Sequence, residues 1–155
     1  MARGSEAALR ALFRDKVKAA FPGCHYQRIE SPMTSGTPDS VVAIKGTGDN
    51  WVEFKFLKRL AVRPHALIKV GLRDEQAAWI ISHNRAGGRC YVLLQVQRTG
   101  YFAFYDEPAI RALHAGIPAG LVYPRLYDWA VWHGKRLDFK PLAPLWGMAR
   151  QIGPT

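Results

Sequence analysis

The chain has 155 residues, 48% of them apolar, and it carries a formal net charge of +10. This length and apolar content predict a single domain over residues 1–155 with a hydrophobic core, and they argue against a disordered chain. The excess of Lys and Arg favours a polyanionic partner, either nucleic acid or an anionic membrane surface. No apolar run approaches the ~20 residues that a membrane-spanning helix needs. Because the first residues also lack the apolar core of a signal peptide, we expect a cytoplasmic protein with no membrane partner.

Cysteine and histidine show no metal-ligand spacing anywhere in the sequence. Cys24 and Cys90 lie far apart, so we expect buried free thiols in a reducing compartment. None of the five His residues lies at ligand spacing from another His or from a Cys, so a zinc site is not expected.

The first predicted element is a helix that begins after Ser5 as N-cap and runs to about Ala20, where Pro22-Gly23 ends it. Glu6 lies in its first turn, where a carboxylate interacts favourably with the helix dipole. An apolar stripe with helical spacing consists of Ala8, Leu9, Leu12, Phe13, Val17 and Ala20. A first strand is predicted from His25 to Glu30, and a loop rich in Ser, Thr, Gly and Pro then leads to Asp39.

A hairpin follows Asp39. Residues 41–44 are predicted as a strand, Lys45 to Asn50 as its turn, and Trp51 to Leu57 as the returning strand. Side chains alternate between the two faces of a strand, so Glu53 and Lys55 point the same way. The opposite face carries Val52, Phe54 and Phe56, which suit a core.

A tight hairpin can bring Asp39 beside Glu53 and Lys55. Paired carboxylates are hard oxygen ligands of the kind that Mg²⁺ prefers, and such an ion can assist an in-line displacement at phosphorus. An ammonium group alongside can orient the attacking water or offset negative charge. By itself, E-x-K on a strand is also typical of an ordinary solvated hairpin.

Downstream of the hairpin, the segment from Phe54 to Arg73 contains no acid. Its basic side chains are candidates for phosphate contacts, which give affinity without sequence information. Outside Lys55, these candidates are Lys58, Arg59, Arg63, His65, Lys69 and Arg73.

The next predicted helix runs from Asp74, as its cap, to Arg85, and Gln76 lies in its first turn. Cys90 to Val96 is predicted as a buried strand and Tyr101 to Tyr105 as a further strand. A short helix then begins at Glu107 or Pro108. The order αβββαβ predicts an α/β fold in which a central mixed β-sheet is flanked by helices.

The C-terminal part, from about residue 106, interleaves aromatic and basic residues and is harder to interpret. Such interleaving indicates core packing, a dimer interface or base stacking. The residues concerned are Tyr123, Arg125, Tyr127, Trp129, Trp132, His133, Lys135, Arg136, Lys140 and Trp146.

Gly36-Thr37-Pro38-Asp39, followed after a gap by Glu53-Phe54-Lys55, resembles the signature of the PD-(D/E)XK nuclease superfamily. Within it, residues 5–97 are most similar to small phage and archaeal Holliday junction resolvases and to VRR-NUC domains. Gly71-Leu72-Arg73-Asp74-Glu75-Gln76 resembles the segment that VRR-NUC domains carry after the E-x-K strand. The resemblance implies a restriction-endonuclease-like core at about residues 5–105.

The resemblance also implies site residues. Asp39 and Glu53 would bind Mg²⁺, with the backbone carbonyl of Phe54 and a third carboxylate, either Glu6 or, as the alternative, Glu30. Mn²⁺ is expected to substitute for Mg²⁺. Lys55 would position the attacking water, and Gln76 would reach back to the site.

The implied activity is a metal-dependent endonuclease that acts as a homodimer on branched DNA and leaves a 5′-phosphate. The compact form is similar to phage-encoded examples. Two alternatives remain at this point: a sequence-specific or nicking endonuclease of the same superfamily, and a non-catalytic nucleic-acid-binding module.

Overall fold

A computed structural model of the protein describes residues 4–29, 36–58 and 63–137. The four helices in these ranges are α1 (Glu6–Ala20), α2 (Asp74–Arg85), α3 (Glu107–Ala115) and α4 (Val122–Trp129). The eight strands are β1 (His25–Arg28), β2 (Ser40–Ile44), β3 (Gly48–Leu57), β4 (Leu67–Ile68), β5 (Cys90–Val96), β6 (Gly100–Phe104), β7 (Ile117–Pro118) and β8 (Trp132–Gly134). A single 3₁₀ turn, Ala119–Leu121, precedes α4. Within these ranges, no helix combines the length and the apolar character that crossing a bilayer requires.

Six strands form one mixed sheet in the order β1-β2-β3-β5-β6-β8. Only β3 and β5 are parallel, and the other neighbours run antiparallel. The parallel pair is joined through α2, as a crossover connection requires. A separate two-stranded sheet pairs β4 with β7. The α/β class and the central mixed sheet flanked by helices are therefore confirmed, and the architecture is consistent with a restriction-endonuclease-like core.

The sheet is covered on both faces. On one face, Val52 and Phe54 pack with Leu9, Phe13 and Val17 of α1. On the other, a larger cluster joins β5 and β6 to helices α2, α3 and α4. Glu53 and Lys55 point to this second face, where their exposed fractions are only 2% and 4%. The strand that carries both residues is thus buried on both sides.

Most predicted elements lie where the sequence placed them. Ser5 caps α1 by accepting a hydrogen bond from Ala8 N, and β5 has the predicted bounds. The hairpin turn is shorter than predicted, because β3 already begins at Gly48. Cys90 is a buried free thiol as expected, whereas Cys24 is only partly buried.

Three predictions need correction. The N-cap of α2 is Arg73, and Asp74 is the first helical residue, because Arg73 N donates to the side chain of Gln76. The predicted basic loop also contains β4, a two-residue strand that pairs with β7 far along the chain. The predicted strand from His25 to Glu30 ends at Arg28, and Glu30 lies outside the described residues.

The C-terminal segment completes the same sheet, because β8 pairs with β6 at its edge. Trp129 and Trp132 pack against the two core clusters. Tyr123 and Tyr127 are instead exposed, at 38% and 44%. Lys140 and Trp146 lie outside the described residues.

Candidate active site

The sheet brings Asp39 beside the E-x-K strand because β3 is longer than β2. Their ladder ends at the pair Ser40–Val52, so β3 continues past the start of β2. Asp39 immediately precedes β2, and its Oδ2 accepts a hydrogen bond of 3.2 Å from the backbone N–H of Phe54. Asp39 therefore lies against the stretch of β3 that carries Glu53 and Lys55, as the hairpin argument predicted.

The loop before Asp39 contains a glycine whose backbone lies very close to α2. Gly36 has a φ of +91°, which is the left-handed region that favours glycine. A Cβ added there would lie 2.2 Å from the backbone oxygen of Glu75 in α2, which is far inside van der Waals contact. Gly36 thus lets the loop pack directly on the first turn of α2. The sequence motif contained this glycine, but its contact with α2 depends on tertiary structure that spacing does not reveal.

The two oxygens of the Glu53 carboxyl group have different surroundings. Oε1 accepts a 2.8 Å hydrogen bond from Gln76 Nε2 and lies 3.3 Å from Lys55 Nζ. Oε2 is buried, and no described residue hydrogen-bonds to it. A buried carboxylate oxygen without a hydrogen bond lowers the stability of the fold. Such atoms are rare in native proteins, so this one indicates a bound water or ion.

Gln76 connects the members of the site. Its Oε1 accepts from Lys55 Nζ at 3.2 Å and from Arg73 N at 3.0 Å, while its Nε2 donates to Glu53. This assignment uses the amide in its only consistent orientation, because Lys and backbone N–H groups are donors and a carboxylate is an acceptor. Gln76 is 7% exposed, so it is part of the buried network and not a surface polar residue.

If the protein has the metal-dependent nuclease activity that its motif implies, replacing Gln76 with Leu is expected to lower DNA cleavage about 10- to 100-fold, the usual cost of losing a residue that orients a metal ligand. The physical reason is that Glu53 and Lys55 both lose the hydrogen bond that orients them. The measurement is the single-turnover cleavage rate of a DNA junction with saturating Mg²⁺. Gln27→Leu, at an exposed position of β1, is the control and should cleave at the wild-type rate. Equal cleavage rates for Gln76→Leu and Gln27→Leu would contradict the role of Gln76 in orienting Glu53 and Lys55.

Burial and the neighbouring negative charge of Asp39 raise the pKa of Glu53 from 4.5 to about 7. Lys55 acts in the opposite direction and lowers the pKa of Glu53, but it does not cancel the effect of burial. Near neutral pH the carboxyl group is thus divided between its two protonation states. A strongly perturbed carboxyl beside a specific charge partner is typical of a functional site.

The raised pKa of Glu53 predicts how the stability of the metal-free protein depends on pH. The folded state holds the Glu53 proton more tightly than the unfolded state, so this stabilisation is complete below pH 4.5 and is lost as the pH rises to about 7. The loss amounts to about 3 kcal/mol. The measurement is urea unfolding of wild type and Glu53→Gln in EDTA at several pH values. The difference between their unfolding free energies should change by this amount between pH 4.5 and pH 7. A difference that stays constant with pH would contradict the raised pKa.

Glu6, one of the two candidates for the third carboxylate, lies at the rim of the site. Glu6 Oε1 is 4.0 Å from Lys55 Nζ, and the Glu6 side chain is 46% exposed. Among the site residues, Glu6 at the start of α1 therefore contacts Lys55. The alternative, Glu30, lies outside the described residues. In the described ranges, no three His, Cys, Asp or Glu residues form a group that could hold a metal ion. Asp39 and Glu53 are the two acids that approach each other along β3.

A pair of carboxylates fits Mg²⁺, which usually binds one or two carboxylates and keeps several waters. The partnerless Oε2 of Glu53 is the atom in the described structure that most needs a cation. The Phe54 N–H faces Asp39, and the N–H and C=O of one strand residue point to the same side of the strand. The Phe54 carbonyl therefore points toward the same region. Asp39, Glu53 and the Phe54 carbonyl are the groups that would hold the ion.

The predicted phosphate-contacting residues form an exposed basic segment next to the site. Lys58, Arg63, His65, Lys69 and Arg73 are all exposed. Arg73 is also paired with Glu75 at 3.1 Å, so its charge is partly offset within α2. Arg59 lies outside the described residues. In sequence, these residues lie between β3, which carries Glu53 and Lys55, and the first turn of α2, which carries Gln76.

Comparison with known proteins gives a weak structural likeness. No family model matches the chain, and no curated protein matches it. Among solved structures, the chain is similar to Hjc, a Holliday junction resolvase from the hyperthermophilic archaeon Archaeoglobus fulgidus, with a TM-score of 0.40 and 18% identity. The match covers 73% of this chain and 98% of the archaeal protein.

Proposed function

We propose that the protein is a Mg²⁺-dependent endodeoxyribonuclease that cleaves branched DNA, with the Holliday junction as its substrate. The observation that carries the proposal is the convergence of Asp39, Glu53 and Lys55, in which a buried Glu53 oxygen has no hydrogen-bond partner among the described residues. The net charge of +10 supports a nucleic-acid substrate. The choice of branched DNA follows from the motif resemblance to junction resolvases.

Each site residue has a role in the proposed hydrolysis. A water oxygen forms a bond to phosphorus and the bond from phosphorus to O3′ breaks, which leaves a 3′-hydroxyl and a 5′-phosphate. Lys55 holds the attacking water, whose proton passes to solvent, and the leaving O3′ takes up a proton. Glu53 and Asp39 would hold Mg²⁺, which would supply charge stabilisation at the phosphate. Gln76 orients the side chains of Glu53 and Lys55 through its hydrogen bonds to both.

Substrate symmetry and surface charge suggest how a junction is bound. A four-way junction has two-fold symmetry, so a homodimer would place one site on each of two paired strands. The exposed basic segment would contact phosphates, which favours recognition of DNA shape over sequence. A phage-encoded role in clearing branched replicating DNA fits this activity.

The test is a matched panel of a four-way junction, a flap, a linear duplex and a single strand, each incubated with Mg²⁺ or Mn²⁺ and resolved on a denaturing gel. Preferential cutting of the junction, whatever its sequence, supports the proposal. Cutting of linear duplex at one defined sequence would favour a sequence-specific or nicking endonuclease. Binding of the junction without cutting in either metal would favour a non-catalytic binding module.

A further inference from the structure

A concave site lies at the β6–β8 edge of the sheet, outside the candidate active site. It is a pocket of about 370 Å³. Its lining consists of Thr99, Gly100, Tyr101, Phe102, Tyr127, His133, Gly134 and Lys135. None of these residues takes part in the hydrolysis proposed above.

Aromatic rings at right angles form the wall of the pocket. Tyr127 and His133 stand edge to face with ring centroids 4.8 Å apart, and Phe102 packs against Tyr127 at 5.1 Å. Phe102 is buried, whereas Tyr127 is 44% exposed and His133 is also exposed. An exposed ring supported by buried aromatic residues is a rigid platform, which is what stacking with a nucleobase requires.

Basic residues belong to the lining of the pocket or adjoin it in sequence. Lys135 lines the pocket and is exposed. Arg98 directly precedes the lining residue Thr99, Arg136 directly follows Lys135, and both are exposed. Aromatic rings with nearby cations suit a nucleotide, whose base can stack while its phosphate pairs with Lys or Arg.

The register of the sheet relates the pocket to the active site. Lys55 on β3 lies opposite Leu94 on β5, Leu94 opposite Phe102 on β6, and Phe102 opposite His133 on β8. Residues opposite each other point to the same face, so Lys55 and His133 lie in one row, three strand spacings apart. Three spacings amount to about 14 Å, or about four base-pair steps of duplex DNA. The core residues Leu94 and Phe102 lie between the two positions, so a DNA molecule that contacts both would pass around the helices that cover this face.

We propose that this pocket binds an unpaired nucleotide of the DNA substrate, with the base against Tyr127 and His133 and the phosphate against Lys135. The identity of the ligand as substrate DNA rests on the proposed nuclease function, but the pocket itself does not involve Asp39 or Glu53. Unpaired nucleotides occur where branched DNA opens, so the pocket would select branch points over uninterrupted duplex.

The first test measures the affinity for a fluorescein-labelled oligothymidylate of twelve nucleotides in EDTA, by fluorescence anisotropy. Tyr127→Leu removes the stacking ring and is expected to weaken binding at least about five-fold, the lower range for losing one stacked base. Tyr127→Phe keeps the ring and should bind like wild type. Tyr105→Leu is the control, because Tyr105 is also a partly exposed tyrosine but follows the opposite end of β6 and does not line the pocket. Absence of wild-type binding, or equal affinity for Tyr127→Leu and wild type, would overturn the proposal.

The second test locates the contact by photo-crosslinking an oligothymidylate that carries one 5-iododeoxyuridine. Crosslinked peptides containing Tyr127 or His133 support the pocket, whereas crosslinks confined to other peptides refute it. Both tests work without metal and without cleavage, so they are separate from the nuclease assay. Binding that depends on Tyr127, without any cleavage, would support the pocket and contradict the proposed nuclease function. Cleavage without binding that depends on Tyr127 would support the nuclease function and contradict the pocket.

Discussion

Glu53→Gln is expected to lower Mg²⁺-dependent junction cleavage by about 1,000-fold, at the upper end of what removing one electrostatic group from an active site costs. The substitution keeps the size of the side chain and one acceptor oxygen, but it replaces the other oxygen with an NH₂ group and removes the negative charge. Mg²⁺ then has one carboxylate, Asp39, in place of two. Junction binding should be retained, because the exposed basic surface is unchanged. Single-turnover cleavage and a gel-shift titration in EDTA measure the two quantities.

A matched control for this variant is Asp49→Asn, which makes the same charge change on the same strand at an exposed position. That variant should cleave at nearly the wild-type rate. Full activity in Glu53→Gln would contradict the assignment of Glu53 to the active site. Loss of activity in both variants would instead point to a general effect of strand β3 on folding.

Lys55→Ala is expected to lower cleavage by about 100- to 1,000-fold while junction binding is largely kept. Two effects act together. The water that Lys55 would hold loses its partner, and the pKa of Glu53 rises further because Lys55 is the charge that lowers it. The carboxyl group is then more protonated near neutral pH and binds a metal ion less well, since a ligand must first lose its proton.

Because Lys55 is buried, its removal also affects packing, so a second variant is needed. Lys55→Met keeps most of the side-chain volume and should show the same loss of cleavage with a smaller loss of stability. Lys16→Met, at an exposed position of α1 with no assigned contact to DNA or metal, is the control and should lose little activity. Wild-type cleavage by Lys55→Met at pH 7 would contradict the assigned role.

The elements that the sequence predicted best are those with strong local signals. Ser5 and the apolar stripe of α1 identify that helix, and the dense apolar run of β5 identifies a buried strand. Alternation along β3 correctly placed Glu53 and Lys55 on one face. These signals are local, because they depend on a cap, on helical spacing and on the two-residue period of a strand.

The features that the sequence did not reveal depend on contacts between distant segments. The short strand β4 exists through its pairing with β7, about 50 residues later, and two residues alone carry no strand pattern. The burial of Glu53 follows from the cover that α2 provides, which alternation does not report. Gly36 belongs to the recognised motif, yet its contact with Glu75 becomes visible only in three dimensions.

The central claim is that Asp39 and Glu53 share one divalent ion, and anomalous diffraction from crystals grown with Mn²⁺ tests it most directly. The account predicts one Mn²⁺ peak within ligand distance of both carboxyl groups, on the side of Glu53 Oε2, and no such peak in Glu53→Gln crystals. A wild-type crystal with the two carboxyl groups bound to no common ion at saturating Mn²⁺ would contradict it.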